Sequence, residues 1–334
     1  MPDIVVMGDV NVDVVFNVPA YPLPGTEAIA TSVQMHTGGS AVNTAIALAK
    51  MDMDVGFIGR IGQDTLARKV LQDLKAAKVD CSAVQVDERV STGLIFIAVT
   101  TDGERTMFGA RGANAFTQAN VIDPDYFKGC RWIHLSSYSF LAHHQYEAIL
   151  AVLDIAENLP HTRVSLDVGT EPALRARTQI LNILPRLDLI LPNETEVSIL
   201  GEGRSFEDSI NFLIDEYGAS AIVTKRGSKG CELALGNKRF SLPSFRINVK
   251  DTTGAGDSFN AGVVLGRLVG LSWDASAVLG NALGGLAATQ EGAGAALLSR
   301  NAVSKLIEDH FFKDEWATGR LALEELTAWF EGII

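Results

Sequence analysis

Apolar residues fall along this chain in two kinds of run, and the order of those runs predicts the fold. Continuous runs such as "DIVVMG" (3–8), "WIHLSS" (132–137), "RVSLDVG" (163–169), "LDLILPN" (187–193) and "SAIVTKRG" (220–227) are too short for helices. They read as strands buried on both faces. Other stretches place apolar residues at helical spacing: "SAVNTAIALAKM" (40–51), "TLARKVLQDLKAAKV" (65–79), "HHQYEAILAVLDIAENL" (143–159) and a segment around 206–217. Asp64 stands where the second of these needs an N-cap. Helical patterns dominate from 257 to the end. Strand and helix patterns alternate from 130 onward, which predicts an α/β sandwich with a mostly parallel central sheet.

A third pattern has period two. "VDVVFNVP" (12–19) and "TEAIATSVQMHTGG" (26–39) alternate in part, as an edge sheet or hairpin does. "TGLIFIAVTTDGERTMFGARGAN" (92–114) predicts a hairpin turning at Asp102-Gly103, and "CELALGNKRFSLP" (231–243) predicts another. The pieces at about 12–36 and 92–110 therefore read as insertions that make a small separate sheet. No proline- or serine-rich linker divides the chain and no repeat period is found. The expectation is one domain over 1–334 with a β lid built from two discontinuous segments.

Composition narrows the setting. Hydrophobic residues make up 47% and charged residues 20%, an ordinary globular balance. The net charge of -12, without a dense Lys/Arg cluster, argues against nucleic acid as a partner. The apolar runs are too short to cross a bilayer, which argues against a membrane partner. "DIVVMGDV" follows the N-terminus directly, without the pattern of a secretory signal. Cys81, Cys130 and Cys231 are odd in number and far apart, as in a reducing compartment. The expected location is the cytoplasm.

Two glycine stretches carry the candidate chemistry. In "DTTGAGDSFNAG" (251–262) small residues lead into Asp257 and a helix-like run. Backbone N–H groups converging there, with the helix dipole, would hold anionic oxygens. A carboxylate in that place opposes a stationary phosphate, unless it takes a proton from a hydroxyl attacking phosphorus. From the loop alone, Asp257 reads equally well as an N-cap. In "HTGGSAVNTAIALAK" (36–50), Gly38 and Gly39 precede a helix whose first turns carry Asn43. The pair would let a polyol approach the backbone, or simply make a tight helix start. Asn11 and Asp13, two residues apart after the first strand, could grip adjacent hydroxyls or cap a turn. Neither a P-loop nor a dinucleotide fingerprint explains these glycines.

The chain resembles the ribokinase-like, or PfkB, family of carbohydrate kinases. Both signatures are present, "GGSAVNTAIALAKM" and "DTTGAGDSFNAGVV", and the order of elements agrees from about residue 3 to 309. The resemblance implies a three-layer sandwich with a β lid that excludes water, and ATP-dependent phosphorylation of a hydroxymethyl group. It implies that Asp257 is the base and that Gly254, Ala255 and Gly256 form the anion hole. It gives Asn11, Asp13, Gly38, Gly39 and Asn43 to the sugar. Asn193 and Glu196 of "PNETE" match an N-x-x-E element that organises Mg²⁺ and its waters. Thr224 and Gly227 would lie near ATP, and Asn281 would contact the adenine. Asp251 and Thr253, with carbonyls from about 289 to 294, fall where many relatives hold a monovalent cation such as K⁺. Lys225, Arg226 and Lys229 could simply face solvent.

This sequence also departs from ribokinases. They have a lysine after the glycine pair where Ser40 stands, and a glutamate where Ser137 and Tyr138 follow "WIHLSS". That favours a broader hexose or keto-sugar kinase. Arg111, at the end of the second lid segment, could meet the carboxylate of a sugar acid, as in 2-keto-3-deoxygluconate kinases. It could equally brace the lid or face solvent. The aromatic sandwich of adenosine kinases is not located. A noncatalytic sugar-binding protein would need neither Asp257 nor the loop. The lid's exposed strands could pair two subunits into a homodimer. The tail from 310 to 334 reads as a helical addition outside the resemblance.

Overall fold

A computed structural model describes residues 1–290 and 298–333. Its first strands are β1 (Ile4–Met7), β2 (Asn11–Asn17), β3 (Ser32–Gly38), β4 (Val55–Ile58), β5 (Arg60–Gly62), β6 (Gln85–Asp87), β7 (Gly93–Val99) and β8 (Arg105–Ala110). They continue as β9 (Trp132–Ser136), β10 (Arg163–Asp167), β11 (Leu189–Leu191), β12 (Ala221–Lys225), β13 (Cys231–Leu235) and β14 (Lys238–Leu242). The helices that matter here are α1 (Ser40–Lys50), α2 (Thr65–Ala76), α3 (His143–Glu157), α4 (Thr170–Arg175), α5 (Arg177–Ile183), α6 (Glu194–Leu200) and α7 (Phe206–Asp215). Towards the C-terminus follow α8 (Ala255–Leu268), α9 (Trp273–Ala288), α10 (Arg300–His310) and α11 (Arg320–Phe330).

The main sheet has the order β14-β13-β12-β11-β10-β9-β1-β4. From β12 to β4 every pairing is parallel, and the hairpin β13–β14 adds an antiparallel edge. Successive side chains of a strand point to opposite faces, and that alternation divides the core. Ile4 and Val6 join one apolar cluster with residues of α1, α8 and α9, whereas Val5 and Met7 join another with residues of α3, α5 and α7. Helices thus cover both faces, giving the three-layer α/β sandwich that the run order predicts. Small residues let neighbouring helices of one layer close tightly. A Cβ on Gly262 of α8 would stand 2.6 Å from the Leu279 carbonyl of α9, so the two backbones touch.

A second sheet has the order β3-β2-β7-β8, antiparallel at both edges and parallel between β2 and β7. Its two hairpin-like pieces come from the segments 11–38 and 93–110. Asp64 caps α2 by accepting from Ala67 N at 2.8 Å, and it also accepts from Thr92 N at 2.8 Å at the start of β7. One carboxylate therefore ties the base of this sheet to the main body. The short α4 and α5, and the small pair β5–β6, are not legible in the hydrophobic pattern. All three cysteines are free, and no helix among the described residues is long and apolar enough to cross a membrane.

The C-terminal segment packs into the first cluster rather than trailing from it. Ala322, Leu323 and Leu326 of α11 are buried there. Trp316 is wholly buried, with its ring centroid 4.4 Å from that of Phe245. Trp316→Ala is expected to lower the unfolding free energy by about 3–5 kcal/mol, as truncation of a buried large aromatic does. Denaturant titration measures it, and a loss below about 1 kcal/mol would mean that the ring packs only peripherally.

Candidate active site

Ligands of open α/β sheets bind beyond the carboxyl ends of the strands. Here Asp9 follows β1, Asp167 ends β10, Asn193 follows β11 and Lys225 ends β12. The "TTGAGD" loop meets these strand ends. Gly254 holds φ 74° as the N-cap of α8, a left-handed conformation that would cost a residue with a Cβ roughly 1–2 kcal/mol. Ala255, Gly256 and Asp257 form the first turn, where backbone N–H groups lack intrahelical acceptors and favour an anion.

Asp257 is not the cap. Gly254 occupies that position, and the Asp257 carboxylate turns instead toward α1, where Oδ2 accepts from Asn43 Nδ2 at 2.7 Å. Thr44 Oγ1 donates to the Asp257 carbonyl at 3.2 Å, fixing the same turn from below. Asn43 is buried rather than exposed on its helix. The N-cap alternative for Asp257 thus fails on geometry, because its oxygens face another helix.

Beneath the loop lies an ion pair that sequence reasoning missed. Lys225 Nζ donates to Asp167 Oδ1 at 2.8 Å and to Asn260 Oδ1 at 3.1 Å. Asn260 Nδ2 and Ser40 Oγ donate to Asp167 at 2.7 and 2.6 Å. A Cβ on Gly256 would sit 3.9 Å from the Lys225 ammonium, so the charge lies directly under the anion loop. Solvent was one reading open for Lys225, and the side chain is instead enclosed. The overlooked signal was position: Asp167 and Lys225 both stand at carboxyl ends of parallel strands, where a charged residue inside an apolar run is worth noting.

Charge is unevenly matched in this space. Burial alone would push the Lys225 ammonium down, but Asp167 and Glu196 hold it up. Burial would raise Asp167, and the charge and hydrogen bond of Lys225 bring it below its ordinary value. Asp257 is pushed up to about 6, first by burial and then by the Asp167 charge. Asp13 also rises to about 6, by burial and then by Asp257. Glu196 reaches about 7, chiefly through burial, with Lys225 opposing and Asp167 adding to the rise.

The expected sugar residues come together beside Asp257. Asp13 lies on β2 opposite His36 of β3, and its carboxylate fills the space that a Gly38 Cβ would take, 2.2 Å away. Gly39 has φ 106°, and a Cβ there would stand 2.4 Å from the Asp9 carbonyl. The glycine pair thus makes room for the chain's own Asp13 and Asp9. Asn11 Oδ1 accepts from Asn114 Nδ2 at 3.0 Å, and Asn114 also binds both backbone groups of Val10.

Arg111 does not project a free guanidinium into this space. It forks onto Asp9, with Nη2 at 2.8 Å from Oδ1 and Nε at 3.2 Å from Oδ2. Gln145 donates to Asp9 Oδ1 at 2.8 Å and accepts from Arg111. Arg111 Nη1 is buried without a partner among the described residues. Of the readings open for Arg111, a substrate carboxylate, bracing or solvent, its contacts match bracing, because a buried carboxylate of the protein already holds it.

On the other side, Asn193 and Glu196 form a capping box at the start of α6. Asn193 Oδ1 accepts from Glu196 N at 2.9 Å, and Glu196 Oε2 accepts from Asn193 N at 2.8 Å. Among the described residues no cluster of three metal-ligating side chains occurs. These donors suit a Mg²⁺ ion that keeps its waters and takes phosphate oxygens. Thr224 is buried in β12, whereas Gly227 starts a 3₁₀ turn at φ 56° with open space around it. Asn281 Nδ2 donates to the Pro243 carbonyl at 2.9 Å, so it braces the chain after β14. Asp251 Oδ1 accepts from Thr253 N at 2.9 Å and from Arg105 Nη2 at 2.6 Å. Of the expected cation carbonyls at 289–294, those from 291 onward lie outside the described residues.

Comparison with known proteins identifies the family of the chain. The model of the pfkB family carbohydrate kinases matches residues 1–300. An ATP-dependent ribose-1-phosphate kinase of Halopiger xanaduensis is 29% identical over 304 residues, covering 91% of this chain and 97% of its own. Fructokinase-1 of Oryza sativa subsp. japonica is 30% identical over 290 residues, covering 81% and 88%. An Escherichia coli structure, assigned as a ribokinase II in complex with ATP and Mg²⁺, superposes at a TM-score of 0.82 with 22% identity, covering 93% of this chain and 100% of its own. That likeness shows the shared fold. With both sequence signatures meeting at one strand-end site, the chain belongs to the pfkB family of carbohydrate kinases.

Proposed function

We propose that this ATP-dependent carbohydrate kinase phosphorylates the hydroxymethyl group of a neutral sugar, a ketohexose such as fructose foremost, with Asp257 as the base. The observation that carries the reading is the direction of the Asp257 carboxylate. It leaves the cap position to Gly254, is held by Asn43 at 2.7 Å and stands at the edge of the anion loop. ATP supplies the phosphoryl group and leaves as ADP; Mg²⁺, placed through water by Asn193 and Glu196, offsets phosphate charge when bound. Asp257 takes the hydroxyl proton as the sugar oxygen bonds to phosphorus. The N–H groups of Gly254, Ala255 and Gly256, with Lys225 beneath them, stabilise the negative charge on the transferred group. Thr224 and Gly227 belong to the nucleotide side of this reading. Asn281 would act there by bracing the chain that follows β14.

Two features favour a neutral polyol over a sugar acid. Asp9 already neutralises Arg111. Asp13 and Asp257 face the same space and raise each other's cost of ionisation, so hydroxyl donors suit them and a substrate carboxylate does not. The fructokinase relative at 30% identity points the same way. The second sheet would close over the sugar and exclude water, the competing acceptor. Its face opposite Asp13 exposes Val33, Met35, Phe96 and Phe108, which supports pairing with a second copy of the chain.

Mass-spectrometric screening with ATP and Mg²⁺ should find fructose or another neutral sugar phosphorylated. The panel should include ribose, ribose 1-phosphate, 2-keto-3-deoxygluconate and adenosine, and a tenfold or greater preference for the acid would overturn the neutral reading. Asp257→Asn should lower turnover at least about 10²-fold while ATP binding persists. Near wild-type turnover would remove the base. Because the Asp257 pKa is raised to about 6, the carboxylate form is lost as pH falls through that value. The kcat/KM profile should therefore drop below about pH 6 and level above it; a flat profile down to pH 5 contradicts the assignment. Sedimentation should show a dimer that Phe108→Asp converts to a folded monomer, and a monomeric wild type would exclude pairing through this face.

A further inference from the structure

We propose that Arg105 is a positioning residue that locks the second sheet onto the phosphate loop, so that the anion hole is held in order only when that sheet is down. Arg105 opens β8, directly after the turn at Asp102-Gly103. By register it pairs with Val99, which pairs with Asn17, so its side chain shares the face of Asp13. From there the guanidinium spans to residues nearly 150 positions away: Nη2 lies 2.6 Å from Asp251 Oδ1 and Nη1 lies 2.7 Å from Thr253 Oγ1.

Thr253 immediately precedes Gly254, and Asp251 stands two residues before Thr253. The segment 243–254, between β14 and α8, contains neither strand nor helix, so its side-chain contacts weigh heavily in fixing its path. Thr253 Oγ1 accepts from Arg105 and donates to Asp251 Oδ1 at 2.8 Å, joining the three residues in one charge-assisted network. Asp251 is mostly shielded, with 16% of its side chain exposed, and Arg105 retains 34%. The pair is therefore less screened than an open surface pair. A planar guanidinium donates to both oxygens at once, which a lysine ammonium on a flexible stem does not reproduce. Lifting β8 withdraws both bonds together, one from Asp251 and one from Thr253, the residue before the left-handed cap. Arg105 thus couples sheet closure to the orientation of the Gly254–Gly256 amides.

The inference rests on the kinase reading for its catalytic meaning, and the test separates the two. Hydrogen exchange on the full chain without substrates follows residues 93–110 and 251–257 in wild type, Arg105→Gln, Asp251→Asn and the double variant. Arg105→Gln should speed exchange in both segments by at least about tenfold, in keeping with loss of a charge-assisted contact. The double variant should lose less than the product of the two single losses, because Arg105 and Asp251 share one contact. In turnover with fructose and ATP·Mg²⁺, Arg105→Gln should lower kcat about 10- to 100-fold, with the KM for ATP within about threefold. Arg105→Lys should recover only part of it. Unchanged exchange at 251–257, or losses that multiply in the double variant, would overturn the lock. If wild type phosphorylates no sugar, the functional reading fails, and the exchange result still decides the contact.

Discussion

One ammonium among several acids is the constraint around which this site is organised. Lys225 is enclosed with Asp167, Glu196 and Asp257 close enough to hold its charge on, and it can satisfy only Asp167 directly. Burial raises Asp257, Glu196 and Asp13 first; the Asp167 charge adds to the rise of Asp257 and Glu196, and the Asp257 charge to that of Asp13. Such an arrangement is poor for a resting protein and good for one awaiting ligands. Hydroxyl donors suit Asp13 and Asp257, a hydrated divalent cation suits Glu196, and the loop over Lys225 suits phosphate oxygens. In the proposed function the ligands complete this electrostatic balance.

Much of this was legible in sequence because local rules govern it. Continuous apolar runs marked the parallel strands, and the α/β layers followed from their alternation with helical spacing. The loop alone left Asp257 evenly between a cap and a base, and the family signature rather than a local rule gave it and Gly254 their expected roles. Asp64 declared itself as a cap. The rest depends on contacts between distant positions. Nothing near Arg111 in sequence announces Asp9, which lies 102 residues earlier, and so its direction could not be read. Lys225 and Asp167 are 58 residues apart and meet because their strands end at the same edge of the sheet. The resemblance gave Asn281 to the adenine, and nothing near it in sequence announces its bond to the Pro243 carbonyl, which depends on where the chain after β14 runs. The glycine pair was read as room for a polyol; it first makes room for Asp13.

The fold explains why one site can combine rigid and movable parts. Asp167 and Lys225 ride on buried central strands, and Asp257 on a helix whose backbone touches α9. Asp13 and Arg105 ride on a sheet whose outer strands have few buried side chains. In the proposed function the charged groups nearest the phosphoryl path are thus fixed, while Asp13, on the sugar side, rides on the second sheet.

Proton linkage of sugar binding tests the central claim most directly. If the free site holds Asp13 and Asp257 with raised pKa values near 6, hydroxyl donors should favour their ionised forms and lower those values. Calorimetry of fructose binding in buffers of different ionisation enthalpy should then record net proton release at pH 6 and almost none at pH 8. Proton uptake at pH 6, or binding with no linkage there, would contradict the account.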